Sequence, residues 1–337
     1  MIELDGSIGY GQVLRTAIAI SAITQKPLKI FNIRVNRPNP GLRPQHLAGV
    51  IEAAKLCKAE VKGAYVGSTE IVFIPKSLEI PSRIFIDIKT AGSITLLLQT
   101  LIPILMFCKN KVNLTIKGGT DTTNAPTITY YQKVFLHYLK LIGFNIEINV
   151  EKYGFYPKGG GIVNVEIFPI EKLKTLNLTE RGDFQNIESY SIASKELEKN
   201  KVAERQINGL ENIVGSVVRN IKYVDTLSIG SSLVAIAKYK NCILGIDGIG
   251  EKGKRAEDVG REVGLGIKKS IEKNACLDKF MSDQIILFLA LANGISQFTI
   301  EEFTDHVKTN IIVCEKLLNA NFFIEGNLLK VKGIGYV

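Results

Sequence analysis

Gln284-Ile285-Ile286-Leu287 opens an apolar run that reaches Ala292, breaks at Asn293-Gly294 and resumes as a β-rich segment from Phe298 to Ile300. The same order occurs twice earlier in the chain. Gln12-Val13-Leu14-Arg15 leads through Ala17 to Ile23, the Gln25-Lys26-Pro27 turn and the segment Leu28 to Ile33. Gln99-Thr100-Leu101-Ile102 leads through Met106, the Lys109-Asn110-Lys111 turn and the segment Val112 to Ile116. Each copy continues with a second helix-like run, begun at His46, Thr129 and His306, and with further strand-like residues. A repeated unit that cannot bury its apolar face alone stacks on copies of itself, so the repeat has first say on the fold. Alternating helices and strands predict an α/β (α+β) architecture in which each copy lays two helices on a small sheet and three copies share one core.

The spacing of the three glutamines exposes an insertion. Gln12 and Gln99 are 87 residues apart and Gln99 and Gln284 are 185 apart, a surplus of 98 residues, about the size of a small domain. Its boundaries are expected in the polar stretch after Arg181-Gly182-Asp183 and near Asn274. Within it Glu204-Arg205 opens a helix-like run, strands are expected at Leu227 to Ile229 and Leu233 to Tyr239, and Glu257 to Ile271 reads as a closing helix. The expected division is residues 1–184 for the first two repeats of a large domain, 185–275 for the inserted small α/β domain, and 276–337 for the third repeat.

Composition narrows the partners. Apolar residues make up 46% of the 337, which supports a sizeable core and argues against disorder. Lys and Arg outnumber Asp and Glu 42 to 33, and the resulting +9 favours an anionic partner such as RNA or a nucleotide. The five cysteines are scattered without metal-ligand spacing and several lie in apolar runs, so they read as reduced core residues. The most apolar run, Ile94 to Cys108, is too short and too interrupted for a membrane span, and a strand-like start at Ile2 leaves no signal peptide. A cytoplasmic protein without a membrane partner is expected, and homo-oligomerisation stays open.

Three histidines serve the chain, and His306 sits in Thr304-Asp305-His306-Val307-Lys308-Thr309-Asn310 at an expected helix start. Neutral imidazole is the strongest nitrogen nucleophile near neutral pH, so this setting fits attack on phosphorus; a surface or capping role is the other reading. His137, in Phe135-Leu136-His137-Tyr138-Leu139, reads as structural. The stretch Arg34-Val35-Asn36-Arg37-Pro38-Asn39-Pro40-Gly41-Leu42-Arg43-Pro44-Gln45-His46 carries three arginines stiffened by three prolines. Guanidinium groups bind phosphate oxygens bidentately, so this loop is either a phosphate clamp or a solvated turn. Gly9-Tyr10-Gly11, Gly118-Gly119-Thr120-Asp121 and Gly159-Gly160-Gly161 each read as a tight turn or a phosphate cradle, and none completes a Walker or dinucleotide fingerprint.

Taken together, these residues resemble the RNA 3′-terminal phosphate cyclases. The resemblance rests on Asp5-Gly6-Ser7 with Gln12-Val13-Leu14-Arg15, Pro40-Gly41-Leu42 with Gln45-His46, Ala91-Gly92-Ser93 with Leu98-Gln99-Thr100, and Gly118-Gly119-Thr120-Asp121. It continues in order through Gly154-Phe155-Tyr156-Pro157-Lys158-Gly159-Gly160-Gly161, Gly250-Glu251-Lys252-Gly253, Asp283-Gln284, and His306 with Thr309-Asn310. It implies three two-helix, four-stranded units with a smaller α/β domain inserted before the third. It also implies ATP-dependent conversion of an RNA 3′-terminal phosphate to a 2′,3′-cyclic phosphodiester through a covalent AMP on His306. ATP contacts are then expected at Asp283, Gln284, Phe280, Pro126 and Tyr10. Phosphate or RNA contacts are expected at Arg15, Arg34, Arg37, Arg43, Gln45, His46 and Lys158, with Mg²⁺ or Mn²⁺ accompanying ATP.

Two departures from the family pattern stand out. The loop Ile8-Gly9-Tyr10-Gly11-Gln12 is about two residues shorter than the usual one and lacks its glutamate, which puts the metal ligands in doubt, and Phe280 stands where a tyrosine is common. The shortened loop is the one feature favouring the alternative, a cyclase-like RNA-binding or ribosome-assembly protein that does not adenylate; such relatives lack the nucleophilic histidine, which is present here as His306.

Overall fold

A computed structural model describes residues 1–9 and 11–336. Tyr10, one of the expected nucleotide contacts, lies outside the described residues.

The first unit runs β1 (Ile2–Asp5), α1 (Gly11–Thr24), β2 (Leu28–Phe31), α2 (Pro44–Leu56), β3 (Glu60–Lys62) and β4 (Ile71–Ile74), in a sheet of order β1-β2-β4-β3. The second runs β5 (Arg83–Asp87), α3 (Ile94–Leu105), β6 (Val112–Gly118), then α4 (Ile128–Tyr130), a π-helical turn at Tyr131–Phe135 and α5 (Leu136–Leu141), then β7 (Ile146–Lys152) and β8 (Gly161–Ile167). Its sheet has the order β5-β6-β8-β7. The third starts with the short β9 (Asn177–Leu178), and the chain then leaves it for β10 (Phe184–Ser194), α6 (Val202–Val214), β11 (Val218–Val224), β12 (Ser231–Tyr239), β13 (Ile243–Ile249) and α7 (Ala256–Glu272). It returns with α8 (Met281–Gln284), α9 (Ile286–Leu291), β14 (Asn293–Thr299), α10 (Asp305–Leu318), β15 (Asn321–Glu325) and β16 (Leu328–Ile334), giving the order β9-β14-β16-β15.

The three sheets share one topology. In each, the first two strands are parallel and the others antiparallel. A parallel pair needs a crossover, and in the three units the crossover ends in α1, α3 and α9, each immediately before the second strand of the pair. The expected α/β architecture of three repeated units with a smaller α/β unit inserted is the one observed. The insertion falls inside the third unit, between β9 and α8, because the strand that opens that unit lies ahead of it.

Helix α1 explains why the units pack as they do. All its described residues from Gly11 to Ile23 are buried, so it is covered around its circumference and takes the central position. It packs against α2, α3 and α10, bringing helices of all three units together. Sheet strands such as β6 and β8 alternate buried and more exposed residues, with one face on this core. The inserted sheet, order β11-β10-β12-β13, carries α6 and α7 over a separate cluster that includes Ile187, Ile207, Leu210, Leu233, Leu244 and Ile267.

Several local expectations differ from what forms. Gln99 lies in the middle of α3, because Ser93 caps the helix by accepting from Leu96 N–H at 3.2 Å and Ile94 to Leu98 already belong to it. Leu227 to Ile229 is not a strand. The Thr226 hydroxyl donates to the Ser228 carbonyl at 2.9 Å, a local turn that removes this segment from the ladder, and Leu227 and Ile229 are exposed. The five cysteines are buried and unpaired, as expected of core thiols. No helix among the described residues is long and apolar enough to cross a membrane.

Both crossings between the inserted unit and the rest are pinned. Arg181 is buried and donates through Nε to Ala275 O at 2.6 Å, through Nη1 to Ile271 O at 2.8 Å and through Nη2 to Ser270 O at 2.7 Å, covering carbonyls that the end of α7 leaves open. The fully buried Tyr138 hydroxyl lies 2.6 Å from Ile243 O and 2.9 Å from Cys276 O, and accepts from Ile243 N–H at 3.3 Å. Removing that hydroxyl strands buried backbone groups, so Tyr138→Phe is expected to lower unfolding free energy by about 1–3 kcal/mol in a denaturant titration.

Candidate active site

The site begins at the first turn of α10. Thr304 caps it by accepting from Val307 N–H at 3.2 Å, which places His306 one residue inside the helix with its side chain 43% exposed. The short α8 brings Asp283 alongside, and His306 Nδ1 lies 3.3 Å from Asp283 Oδ2. An Nδ1–H directed at a carboxylate leaves Nε2 as the unprotonated ring nitrogen.

That pair is held from the first unit. Gln12 Nε2 donates to His306 O at 3.2 Å, the Thr16 hydroxyl donates to Asn310 Oδ1 at 2.7 Å, and Asn310 Nδ2 donates to Asp283 O at 2.6 Å. Thr309 donates to Ile8 O at 3.1 Å, tying the shortened loop to α10.

Arginines converge on the same point. Arg15 is buried, its Nε has no hydrogen-bond partner, and burial pushes its guanidinium down to about 10 although Tyr131 and Asp283 lie near. His46 is buried beside it. Its Nδ1 accepts from Arg43 N–H at 3.2 Å, and burial, reinforced by Arg15, Arg34 and Arg43, holds its pKa well below the usual imidazole value. It is therefore neutral, with Nε2 as its N–H donor. That nitrogen comes within 2.5 Å of where a Cβ on Gly11 would stand, so glycine is required there for the ring to approach α1. Arg34 adopts a left-handed backbone (φ 55°), and its Nη1 donates to Asn39 O at 3.0 Å and Gly41 O at 2.7 Å. Part of its guanidinium thus shapes the arginine loop.

Two cavities meet at His306. The larger, about 750 Å³, is lined by Arg34, Arg37, Arg43, Gln45, His46 and Tyr156 among others. The smaller, about 580 Å³, is lined by Pro126, Phe280, Asp283, Gln284 and, from the inserted unit, Asp247, Ile249, Lys254 and Val263. Arg15, Arg37, Leu96, Thr123, Asn124 and His306 border both.

A model of the family described as RNA 3′-terminal phosphate cyclase matches residues 7–324. The chain belongs to the RNA 3′-terminal phosphate cyclase family. Proteins named RNA 3′-terminal phosphate cyclase from Pyrococcus abyssi and Pyrococcus furiosus are 42% and 43% identical to it, covering 98% and 97% of this chain and 97% and 96% of their own lengths. One of the same name from Caldivirga maquilingensis is 42% identical over 98% of this chain and 97% of its own.

Of the residues that the cyclase resemblance singled out, the structure gathers Asp283, Gln284, Phe280, Pro126, Arg15, Arg34, Arg37, Arg43, Gln45 and His46 with His306 around these two cavities. Lys158 is exposed and lines neither, and its backbone N–H donates to Ser228 Oγ at 3.0 Å. In the sequence Gln99 served as a repeat marker and as part of the resemblance, with no contact assigned to it. In the fold its Nε2 donates to Gln284 Oε1 at 3.1 Å and it lines the smaller cavity. Asp247 and Lys254 were also missed; Gly250-Glu251-Lys252-Gly253 was the only nearby signal. Among the described residues no three His, Cys, Asp or Glu side chains group as a metal site.

Two carboxylates sit between the second unit and the insert, Asp247 half-buried at the smaller cavity and Asp121 buried. Asp247 Oδ2 accepts from Thr127 N–H at 2.6 Å, and Asp121, 1% exposed, accepts the Thr120 hydroxyl at 2.6 Å. Burial, with Asp247 adding repulsion, pushes Asp121 up to about 6. An acid whose folded pKa is raised binds its proton in the native state first, so stability falls as pH rises from about 4 to about 6 and stays low above that. The shift corresponds to an energy on the order of 1–3 kcal/mol. Asp121→Asn is expected to flatten that part of the pH dependence, as denaturant midpoints on either side of the window would show.

Proposed function

We propose that the chain converts an RNA 3′-terminal phosphate into a 2′,3′-cyclic phosphodiester using ATP, with AMP carried on His306. The observation that supports this reading best is the place of His306 where two cavities join, one lined by Phe280, Pro126 and Gln284 and the other by arginines. A nucleotidyl carrier must face both its donor and its acceptor.

In the proposed sequence, Nε2 of His306 attacks the α-phosphorus of ATP while the Nδ1–H points at Asp283. A phosphorus–nitrogen bond forms, the α–β anhydride breaks and pyrophosphate leaves. An oxygen of the RNA 3′-phosphate then attacks the same phosphorus, the phosphorus–nitrogen bond breaks and the RNA end carries AMP through an anhydride. Finally the neighbouring 2′-hydroxyl attacks the 3′-phosphorus, loses its proton, and expels AMP. The free phosphate monoester is a poor electrophile because its dianionic oxygens repel the attacking group, and adenylation supplies the leaving group. Arg15, Arg37 and Arg43 neutralise the phosphates, and neutral His46 serves as an N–H donor without adding to their mutual repulsion.

A divalent ion fits this site as one carried in on the triphosphate. The smaller cavity offers hard carboxylate oxygens at Asp247, Glu251 and Glu262, and Mg²⁺ or Mn²⁺ needs only one or two of these beside nucleotide oxygens. When bound it supplies further charge neutralisation. Residues 185–275 are proposed as an inserted domain whose part in this reaction is to wall the nucleotide cavity, in a cytoplasmic enzyme.

Incubation with ATP labelled at the α-phosphate is expected to leave acid-labile, alkali-stable label on the protein, and His306→Ala to abolish it. Asp283→Asn, which weakens the orientation of the imidazole, is expected to slow labelling roughly 10- to 100-fold. Absence of label with either Mg²⁺ or Mn²⁺ would instead favour an RNA-binding protein without adenylation, the reading to which the acid-free loop at Ile8–Gln12 points.

A further inference from the structure

The Gly154–Gly161 segment has no role in the chemistry above, yet it places a ring in the larger cavity. Tyr156 is 75% exposed, more than the other exposed large apolar side chains of the described residues, and among those lining this cavity it is the only phenyl-type ring. The neighbouring Phe155 is turned inward and buried, against Gly230, where a Cβ would stand 2.3 Å from the Phe155 ring.

The loop that carries Tyr156 is held at several points. Thr120 N–H donates to Gly154 O at 2.9 Å, Gly159 N–H to Phe155 O at 2.8 Å, and Lys158 N–H to Ser228 Oγ at 3.0 Å. Gly159 has φ 65° and lies so close to Ala91 that a Cβ would stand 2.8 Å from its Cα. Thr90, Ala91 and Gly92 line the same cavity as Tyr156. A water-exposed ring on a braced loop gives up little entropy when something stacks on it.

We propose that Tyr156 is the platform on which the 3′-terminal nucleobase of the RNA stacks. The proposal rests on the cyclase reading and names how the same site grips its acceptor. Arginines of the 34–43 loop line the cavity from the first unit and Tyr156 lines it from the second, so a terminal phosphate held by guanidinium groups leaves its ribose and base to meet the second unit's wall. Ligand cavities span roughly 300–1,000 Å³, and the volume of about 750 Å³ accommodates an end nucleotide. Every base has a π-face, so stacking grips the end without reading its identity, which suits a reaction at phosphate and ribose.

Cyclisation kinetics are compared on RNA 3′-phosphates ending in an ordinary nucleotide and on the same RNA ending in an abasic ribose that keeps its 2′-hydroxyl. Tyr156→Ala is expected to raise KM for the ordinary end roughly 5- to 100-fold and to leave KM for the abasic end unchanged, while Tyr156→Phe behaves as wild type. An equal rise for both ends, or none for either, overturns the proposal. Binding is read separately with 2-aminopurine as the terminal base: its fluorescence is quenched by wild type and Tyr156→Phe and not by Tyr156→Ala, and equal quenching by all three also overturns it. Labelling by ATP at its α-phosphate checks that Tyr156→Ala is folded, since Tyr156 does not line the nucleotide cavity. If wild type takes no label, the cyclase reading falls, whereas the fluorescence still decides the stacking.

Discussion

Everything in the site hangs on the hydrogen-bonded chain from Thr16 through Asn310 to the backbone of Asp283. Thr16 belongs to the first unit and Asn310 and Asp283 to the third, so a side-chain amide fixes one unit against another where the reacting groups must register. Both side chains are buried, and in that low-dielectric setting a satisfied network is rigid because any break leaves an unpaired polar group. The imidazole of His306 inherits its direction from this arrangement, since Asp283 cannot shift without disturbing Asn310. The central helix α1 makes the geometry possible: fully buried, it lends Gln12, Arg15 and Thr16 to the site from one face, and its other faces hold the units together.

The repeat was legible because its signal is periodic and local. Three apolar runs, each marked by a glutamine and followed by a turn and a strand, are what a buried helix and its crossover strand require. The start of the third unit was not legible. Strand β9 has two residues, too few to show alternation, and its partner β14 lies beyond the whole insertion. The same limit hid Asp247 and Lys254, which reach the smaller cavity only because β13 and α7 pack beside it.

For the site itself, residue type was a good guide to location and a weaker one to use. The arginines at positions 34, 37 and 43 do line one cavity, yet Arg34 spends Nη1 on the carbonyls of Asn39 and Gly41. A loop rich in proline has few backbone N–H donors of its own, and a guanidinium is an economical way to satisfy its carbonyls. Lys158 looked like a phosphate contact for its charge, but its loop offers the cavity Tyr156 and Pro157 instead. Charge can be read from composition; the direction in which a braced turn presents its side chains cannot.

The larger cavity is built against an electrostatic gradient. Arg34 is lowered by burial and by Arg43 and Arg37, Arg15 is buried with an unpartnered Nε, and His46 among them is kept neutral. Protonating His46 would place another cation beside guanidinium groups that already repel one another, so burial and these arginines favour the neutral imidazole. A phosphate bound there would offset this repulsion, since its oxygens can partner guanidinium groups and accept the Nε2–H of His46. The residues whose charges repel one another here are thus those suited to a polyanion, and a proline-stiffened loop with a glycine at the α1 entrance holds them together.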